Sequence, residues 1–423
     1  MTPPHLFLFL SSRDEVAVAM LKAAARTGAQ VSVMSDRAPE FFVSYPFVRH
    51  VVTPVRGGDD AGWEAAARRL EQIHAAEPFV RVVPSSEGSV EFAARLNQHL
   101  GLGGNSPETA AASRDKFRMR RALAAHGGAL IPEFRLVSSW DEFQAAVEAV
   151  GYPCISKPIR AAASDGVAKI EDASQVRAAW EFTSAVPQID ATGTGTVLVE
   201  SYASGPEYSV EGIVSNGVAH ILGVTEKTTE AEPFFNEIMH VFPAPISAEA
   251  ETAMRRTAQA VAEGLGMTGG AMHLEVRLNA RGPVVMECAA RLAGDSVPII
   301  ARFATGVDIY EQMLNEALGR PVCMDRRTNR VSGIRFVQSP REGVLEGFGF
   351  DRVKLAAARG VVGHGPVRRA GDMIARPPRG ATNRVGWVMA VGATAGAVRA
   401  TLAAGEDAAR YTLEGDAPVA VAA

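Results

Sequence analysis

The sequence predicts a mixed α/β (α+β) protein that begins with a Rossmann-like parallel sheet and continues into further packed units. In the first hundred residues, short apolar runs such as residues 6–10 alternate with amphipathic segments such as residues 14–27. This alternation is typical of a parallel sheet covered by helices on both faces. The length of 423 residues exceeds what one hydrophobic core supports, so we expect two to four packed units.

The first two predicted domains cover residues 1–105 and 106–205. The Rossmann-like domain is predicted to have strands at 6–10, 31–34, 48–53 and 80–84 and helices at 14–27, 61–75 and 89–100. Its first turn lacks the G-x-G-x-x-G pattern, so a dinucleotide site is not indicated there. The second domain is predicted as linker helices and a lid, with helices at 107–125, 140–150 and 174–185, strands at 154–158, 167–170 and 196–200, and a small-residue loop at 159–166.

The remaining two predicted domains cover residues 206–330 and 331–423. The third contains predicted strands at 208–214 and 218–225, which the Asn216-Gly217 pair joins as a hairpin. A long helix at 248–265 and strands at 271–278 and 284–289 follow, and residues 225–240 are predicted as a polar and aromatic loop. The fourth is predicted as a small β-containing domain, and residues 191–195 are the best candidate for a flexible surface loop.

The composition excludes several classes of protein. A net charge of -4 gives no electrostatic basis for nucleic-acid binding. The three cysteines form no zinc or disulfide spacing, which suits a reducing cytoplasm. The apolar run at residues 6–10 is far shorter than the roughly 20 residues needed to span a bilayer, so we expect a cytoplasmic protein without a membrane partner.

Two carboxylates on neighbouring predicted strands give the sequence its first chemical signal. Glu275 lies on one strand face with His273 and Arg277, because side chains alternate along a strand. If residues 279–283 form a five-residue hairpin loop, Glu275 faces Glu287, with Cβ atoms about 4.5–5.5 Å apart. A hard cation such as magnesium would compensate the two charges and would draw further oxygen ligands from nucleotide phosphates.

Two other interpretations of this acid pair remain open from the residues alone. The acids could belong to a solvated hairpin and pair with Arg277 or Arg291. They could also share a proton, as two interacting carboxyl groups do in acid–base catalysis.

Further motifs appear in a fixed order before and after this pair. Lys116 lies in S-R-D-K-F-R, and Lys157 ends the apolar segment Y-P-C-I-S-K-P, which is followed by the small-residue loop A-A-A-S-D-G-V. Glu207 follows Glu200 by seven residues in V-L-V-E-S-Y-A-S-G-P-E, and Arg291 opens R-L-A-G-D. Taken in order, these segments resemble the ATP-grasp superfamily, most closely its carboxylate–amine ligases, including the bacterial L-amino-acid ligases.

The resemblance implies the ATP-grasp fold, with a Rossmann-like N-terminal domain, a central lid subdomain, a nucleotide- and metal-binding sheet domain and a small C-terminal domain. It also implies a role for each matching residue. Nucleotide contacts are expected from Lys116, Lys157, Ser164, Gly166, Glu200, Ser201, Tyr202, Ala203 and Glu207. Glu275 and Glu287 are expected to bind Mg²⁺, with Mn²⁺ as an alternative, while His273 and Arg291 approach the transferring phosphoryl group. Substrate contacts are expected from Glu237, for an amino group, and from Arg291, for a carboxylate.

The activity implied by the resemblance is amide formation driven by ATP. A small-molecule carboxylate, on an amino acid or small peptide, would become an acyl phosphate, and an amine would then displace phosphate. One alternative is an ATP-grasp enzyme that uses bicarbonate, such as a carboxylase or a purine-pathway relative. Another is a nucleotide-binding protein without catalysis. The assembly state is open, and a homodimer is possible. Ala289 departs from the family because many relatives carry an asparagine ligand there, and alanines replace most flap glycines.

Overall fold

The computed structural model describes residues 3–11, 13–53, 60–162, 164–187, 195–230, 232, 235–376 and 383–416, and the side chains of residues 60–63 are not described. Of the predicted surface loop at 191–195, residues 191–194 lie outside the described part of the chain. No described helix is long and apolar enough to cross a bilayer.

The N-terminal segment is a four-stranded parallel sheet with the strand order β3-β2-β1-β4. Its elements are β1 (His5–Phe9), α1 (Asp14–Thr27), β2 (Gln30–Met34), β3 (Val48–Val52), α2 (Asp60–Ala76), β4 (Arg81–Val83) and α3 (Val90–His99). Leu6 and Leu8 pack with α1 on one face, whereas Phe7 and Phe9 pack with α2 and α3 on the other. This two-sided burial confirms the predicted parallel sheet.

The next segment forms an antiparallel sheet with the order β5-β8-β6-β7. Its elements are α4 (Pro107–Ala112), α5 (Lys116–His126), β5 (Phe134–Val137), α6 (Trp140–Val150), β6 (Cys154–Pro158), β7 (Ala168–Ile170), α7 (Val176–Ser184) and β8 (Val197–Ser201). The single helix predicted at 107–125 was wrong, because the carboxylate of Asp115 accepts from the N–H groups of Phe117 and Arg118 and starts a new helix. The break places Lys116 in the first turn of α5.

The third segment supplies the five strands at one end of a larger sheet. Its elements are β9 (Glu207–Ser215), β10 (Val218–Thr229), β11 (Glu237–Phe242), α8 (Ala248–Leu265), β12 (Gly269–Asn279), β13 (Gly282–Ala289), α9 (Val297–Thr305) and α10 (Ile309–Ala317). The loop predicted at 225–240 was wrong in large part, because β10 continues to Thr229 and Glu237 begins β11. Ladder bonds between these two strands override the polar character of the segment.

The C-terminal segment extends the same sheet. Its elements are β14 (Val331–Gln338), β15 (Gly343–Phe350), α11 (Arg352–Ala357), β16 (Val361–Pro366), β17 (Met373–Ile374), β18 (Arg384–Gly392), α12 (Ala395–Asp407) and β19 (Ala409–Leu413). The large sheet has the order β13-β12-β9-β10-β11-β14-β18-β16, and β17-β15-β19 form a smaller sheet. β14, which begins at the predicted domain boundary at residue 331, therefore pairs with β11 of the preceding segment. The division into four domains stays a prediction.

The hairpin of β12 and β13 confirms that Glu275 faces Glu287, although the predicted route to this pairing was wrong. Asn279 pairs with Gly282, so the connection is a two-residue turn rather than a five-residue loop. With that turn alone, Glu275 would face Met286. An irregularity after Glu275 shifts the register by one residue and brings Glu287 opposite.

Gly205 is fixed by a close approach of two backbones. It has a φ of +104°, and a Cβ added there would lie 2.1 Å from the carbonyl oxygen of Leu278 on β12. We predict that Gly205→Ala lowers the free energy of unfolding by roughly 2–5 kcal/mol, through the positive φ and the overlap. Urea denaturation of the purified protein measures this change.

The matched control is Gly217→Ala, since Gly217 has a φ of +78° but open space around its missing Cβ. It should lose only roughly 1–2 kcal/mol, the cost of the left-handed conformation. Equal losses for the two variants would contradict the contact between Gly205 and β12.

Candidate active site

One face of the large sheet carries most of the charged side chains described below. Along β12, β9 and β10, successive side chains point to opposite faces of the sheet, so every second residue of each strand lies on this face. Three cross-strand rows lie side by side. They are Arg277–Glu207–Lys227–His240, Glu287–Glu275–Ser209 and Ala289–His273–Glu211.

A cavity lies over this face and reaches the sheet of β6 and β8. Of the residues predicted for the site, the cavity brings together Lys116, Lys157, Ser164, Glu200, Ser201, Tyr202, Ala203, Glu207, Glu237, His273, Glu275, Glu287 and Arg291. Gly166 lies apart from this lining. Its φ is +72°, and a Cβ there would lie 2.8 Å from the ring of Pro158, so the absence of a side chain serves close packing.

A second cavity adjoins the first. Glu237, His273, Glu275 and Arg291 line both cavities, as do Ala162 and Ser164, so these six residues lie at the junction. The second cavity also contains Lys227, His240, Asp295 and Arg384, which were not predicted as site residues.

Each of the two facing carboxylates is compensated by a lysine. The ammonium nitrogen of Lys116 lies 3.0 Å from Glu287 Oε2, and that of Lys227 lies 2.8 Å from Glu275 Oε1. Both acids offer oxygen ligands to the cavity, which is the donor set of a hard divalent cation. The pair therefore fits magnesium, which would replace these ammonium contacts, and Ala289 beside them offers no side-chain oxygen.

A buried acid, Glu211, favours the charged form of His273. Its Nδ1 lies 3.0 Å from Glu211 Oε2, and its Nε2 lies 3.2 Å from Glu275 Oε1. Burial opposes the charge, yet the two carboxylates raise the pKa of His273 to about 10. Glu211 is fixed in turn by the hydroxyls of Ser209 and Thr225 at 2.6 and 3.2 Å, so the imidazolium has a defined orientation.

Glu200 joins two cations behind the cavity. Arg120, which is fully buried, donates from Nε to Glu200 at 2.6 Å, and the Lys157 ammonium lies 2.5 Å from the second oxygen. Burial lowers the pKa of Lys157 to about 8, although Glu200 opposes the shift. Arg120 also donates to the Met286 carbonyl on β13 at 2.8 Å. This cluster therefore connects the antiparallel β5-β8-β6-β7 sheet, hereafter the lid sheet, to the large sheet.

Arg277 closes the end of the cavity near Ala203. Its guanidinium donates to the Ala203 carbonyl at 3.1 Å and to Glu207 Oε2 at 3.3 Å. It also lies 5.5 Å from the Tyr202 ring centre and 5.1 Å from that of Phe235. Both oxygens of Glu207 are thus engaged by cations, since Lys227 lies 2.8 Å from Oε1.

The described part of the flap loop, residues 159–162 and 164–166, contacts the opposite wall of the cavity. The Ser164 hydroxyl donates to the Phe235 carbonyl at 3.2 Å, and the Lys116 ammonium donates to the Ala161 carbonyl at 2.9 Å. Ser164 has a φ of +58°, an unfavourable conformation for a residue with a side chain. The loop is therefore held across the cavity by specific contacts.

Arg291 is oriented by the N-terminal segment, a contact that the sequence analysis missed. Its Nε lies 2.5 Å from Glu87 Oε2. Burial opposes the charge on Glu87, but Arg291 and Arg114 together lower the pKa of this carboxyl. Glu87 follows β4 at the carboxyl end of the parallel sheet, where functional side chains of such sheets collect, so this location was the available signal.

The C-terminal segment supplies Arg384, to which the sequence analysis assigned no role. Its Nη1 donates to both carboxylate oxygens of Asp295 at 2.9 and 2.8 Å, and Nη2 donates to the Glu237 carbonyl at 2.6 Å. His240 Nε2 lies 3.2 Å from Asp295. Asp295 and Ser296 have φ values of +50° and +59°, so two consecutive left-handed residues present this carboxylate to the second cavity.

Comparison with known proteins identifies the class to which this chain belongs. The ATP-grasp domain family matches residues 150–299. Alanine–anticapsin ligase of Bacillus subtilis is 30% identical over 353 residues, which cover 74% of this chain and 71% of that protein. Dapdiamide A synthase of Enterobacter agglomerans is 30% identical over 231 residues, covering 53% of each protein.

The solved structures agree with this assignment at the level of the fold. The crystal structure of an L-amino acid ligase from Bacillus licheniformis superposes with a TM-score of 0.80, at 22% sequence identity, and covers 97% of this chain and 99% of that chain. The chain belongs to the ATP-grasp family. It is an ATP-dependent ligase of the carboxylate–amine kind, as its motifs predicted.

The charge state of His273 can be tested directly. We predict that its imidazole is protonated at a pH midway between its ordinary pKa of 6.5 and its raised pKa of about 10. Because the folded pKa is the higher one, the stabilisation from this charge is complete below pH 6.5 and is lost as the pH rises through about 10. NMR of ¹³C,¹⁵N-histidine-labelled protein measures the ring protonation.

The Glu211→Gln variant should move the His273 titration to lower pH, because burial then acts with one carboxylate fewer. Glu226→Gln is the control, since Glu226 pairs instead with Arg399. A neutral His273 ring in the wild-type protein at the chosen pH would show that the Glu211 contact does not hold the charge.

Proposed function

We propose that this ligase forms an amide bond between an amino acid or small peptide and an amine, through an acyl phosphate, releasing ADP and phosphate. The observation that carries the proposal is the junction of two cavities at Glu237, His273, Glu275 and Arg291. One cavity has lysines and paired acids suited to a nucleotide. The other has both acids and cations, which suits a substrate that bears an ammonium and a carboxylate.

The nucleotide would lie in the first cavity. Lys116 and Lys157 would leave Glu287 and Glu200 to contact phosphate oxygens, as compact ammonium charges can. Glu207 would accept from the ribose hydroxyls. The N–H groups of Ser201 and Tyr202 already donate to the carbonyls of Glu133 and Pro153, so the Ala203 amide is the donor that we assign to adenine.

Glu275 and Glu287 would hold a magnesium ion with the nucleotide. When bound, this ion would neutralise phosphate charge as the phosphoryl group is transferred. Since Ala289 supplies no oxygen, water or phosphate would occupy the third ligand position. Each of the two carboxylates is therefore assigned an individually necessary role.

In the first reaction step, a substrate carboxylate oxygen attacks the γ-phosphorus, and the bond to the bridging β–γ oxygen breaks to release ADP. The charged His273 and Arg291 lie where the cavities meet, so we assign them to the phosphoryl oxygens that carry the charge. The flap held by Ser164 would exclude water, which would otherwise hydrolyse the acyl phosphate.

In the second step, the amine nitrogen attacks the acyl carbon, the carbon–oxygen bond to phosphate breaks, and one proton leaves the nitrogen. Glu237 is our candidate acceptor for that proton. Burial raises its pKa, although Lys227 opposes the shift, and a raised pKa suits a general base near neutral pH. Arg291 and Arg384 are candidates for a substrate carboxylate, while Glu237 and Asp295 would face an ammonium.

The function is tested by measuring phosphate release with ATP and Mg²⁺ over the twenty amino acids, singly and in pairs. We expect turnover that requires a pair and that forms ADP. Formation of AMP and pyrophosphate would indicate adenylation and would contradict the acyl phosphate. Turnover stimulated by bicarbonate alone would instead favour a carboxylase.

The metal assignment is tested by Glu287→Gln, which keeps the shape of the side chain but removes its charge. We expect turnover to fall about 100-fold or more, because the ion would lose one of its two carboxylates. The thermal unfolding midpoint should change little, since Glu287 contacts the cavity and Lys116. Glu226→Gln serves as the control, and a Glu287→Gln rate near that of the wild type would rule out Glu287 as a ligand.

A further inference from the structure

Lys227 occupies the centre of the charged sheet face, yet its side chain is only 2% exposed. It lies on β10 with Glu207 opposite on β9 and His240 opposite on β11. A buried ammonium requires compensation by nearby acids, because transfer out of water strongly disfavours its charge.

Three carboxylates provide that compensation. The Lys227 nitrogen lies 2.8 Å from Glu207, 2.6 Å from Glu237 and 2.8 Å from Glu275. Under the function proposed above, these acids serve the ribose, the amino-acid substrate and the metal, respectively. One cation thus touches all three parts of the site.

The three acids differ in their other partners. Glu207 has Arg277 at 3.3 Å and Glu275 has His273 at 3.2 Å, whereas His240 and Arg384 lie 3.6 and 3.8 Å from Glu237. Glu237 therefore depends most on Lys227 for compensation. Burial opposes the charge on Lys227, but the three acids raise its pKa well above the ordinary value. The three acids therefore share the one positive charge of Lys227.

We propose that Lys227 is a positioning residue that couples nucleotide binding to the binding of an ammonium group at Glu237. Its one positive charge is divided between Glu207 and Glu275, on the nucleotide side, and Glu237, on the substrate side. This proposal rests on the function proposed above. Magnesium-bound ADP is a net anion, and the positive charge of Lys227 favours its binding. When Glu237 is neutralised and the metal holds Glu275, Lys227 keeps only Glu207 as a partner, and more of its charge acts on the nucleotide.

The coupling has a definite sign. An ammonium-bearing substrate at Glu237 would neutralise that acid and strengthen nucleotide binding. By linkage, bound nucleotide would strengthen substrate binding by the same factor. The enzyme would therefore favour the complex that holds both ligands.

The experiment uses only ADP with Mg²⁺, so it requires no knowledge of the amino-acid substrate. Isothermal titration calorimetry measures the Kd for the wild-type protein, Glu237→Gln, Lys227→Met and the double variant. We expect Glu237→Gln to tighten binding by about fivefold or more when Lys227 is present. In the Lys227→Met background the same change should alter the Kd less than about twofold, because an uncompensated, buried Glu237 takes up a proton and already resembles glutamine.

Two further variants separate this coupling from a purely structural role. Lys227→Arg keeps the charge and should retain a stronger response to Glu237→Gln than Lys227→Met does. Glu226→Gln removes an acid next to Lys227 in sequence that pairs instead with Arg399, and it should leave the Kd within about twofold.

The outcomes are distinguishable even if Lys227→Met does not fold. Failure of the wild-type protein to bind ADP with Mg²⁺ would overturn the nucleotide site and the coupling together. Normal binding with the same Kd in the wild type and Glu237→Gln would overturn the coupling alone. An equal response to Glu237→Gln with and without Lys227 would show that Lys227 does not transmit it.

Discussion

The repulsion between Glu275 and Glu287 is the constraint on which the site depends. Two carboxylates that face each other across neighbouring strands require cations nearby, and the fold brings those cations from separate segments. Lys116 begins a helix that precedes the lid sheet, whereas Lys227 comes from β10. Each lysine contacts one of these acids. Under the proposed function, contacts to the ligand take the place of these ion pairs. Under the proposed function, the site is preorganised for a nucleotide and its metal because the compensating charges are already in position.

Most of the fold and site could be predicted because the relevant signals are local in the sequence. Short apolar runs that alternate with amphipathic segments indicated the parallel sheet, and the resemblance of the ordered motifs to the ATP-grasp superfamily indicated the residues from Lys116 to Arg291 that line one cavity. The pairing of Glu275 with Glu287 was also predicted, but through a loop length that the structure replaces with a shorter turn and a shifted register. Such an irregularity depends on how β13 packs, so the sequence pattern alone did not reveal it.

The missed residues share a different physical origin. Lys227 lies in a polar segment that resembles a loop, and only its pairing with β9 and β11 reveals that it lies on a strand. Glu87 and Arg384 reach the cavities from segments far from the central motifs in sequence. Their roles follow from tertiary contacts, which periodicity and local spacing do not report. The residues predicted from the sequence thus include more of the lining of the first cavity than of the residues found only in the second.

The contribution of Arg384 has a consequence for biosynthesis. The second cavity is complete only when β18 has joined the large sheet beside β14, and β18 is the last strand of that sheet in chain order. A ribosome releases the N-terminal segments first, and these can fold before the last strands emerge. During synthesis, the strands that carry Glu275 and Glu287 therefore emerge before Arg384, which the second cavity still lacks at that stage. Under the proposed function, a substrate carboxylate would find Arg384 in the second cavity only after β18 has joined the sheet.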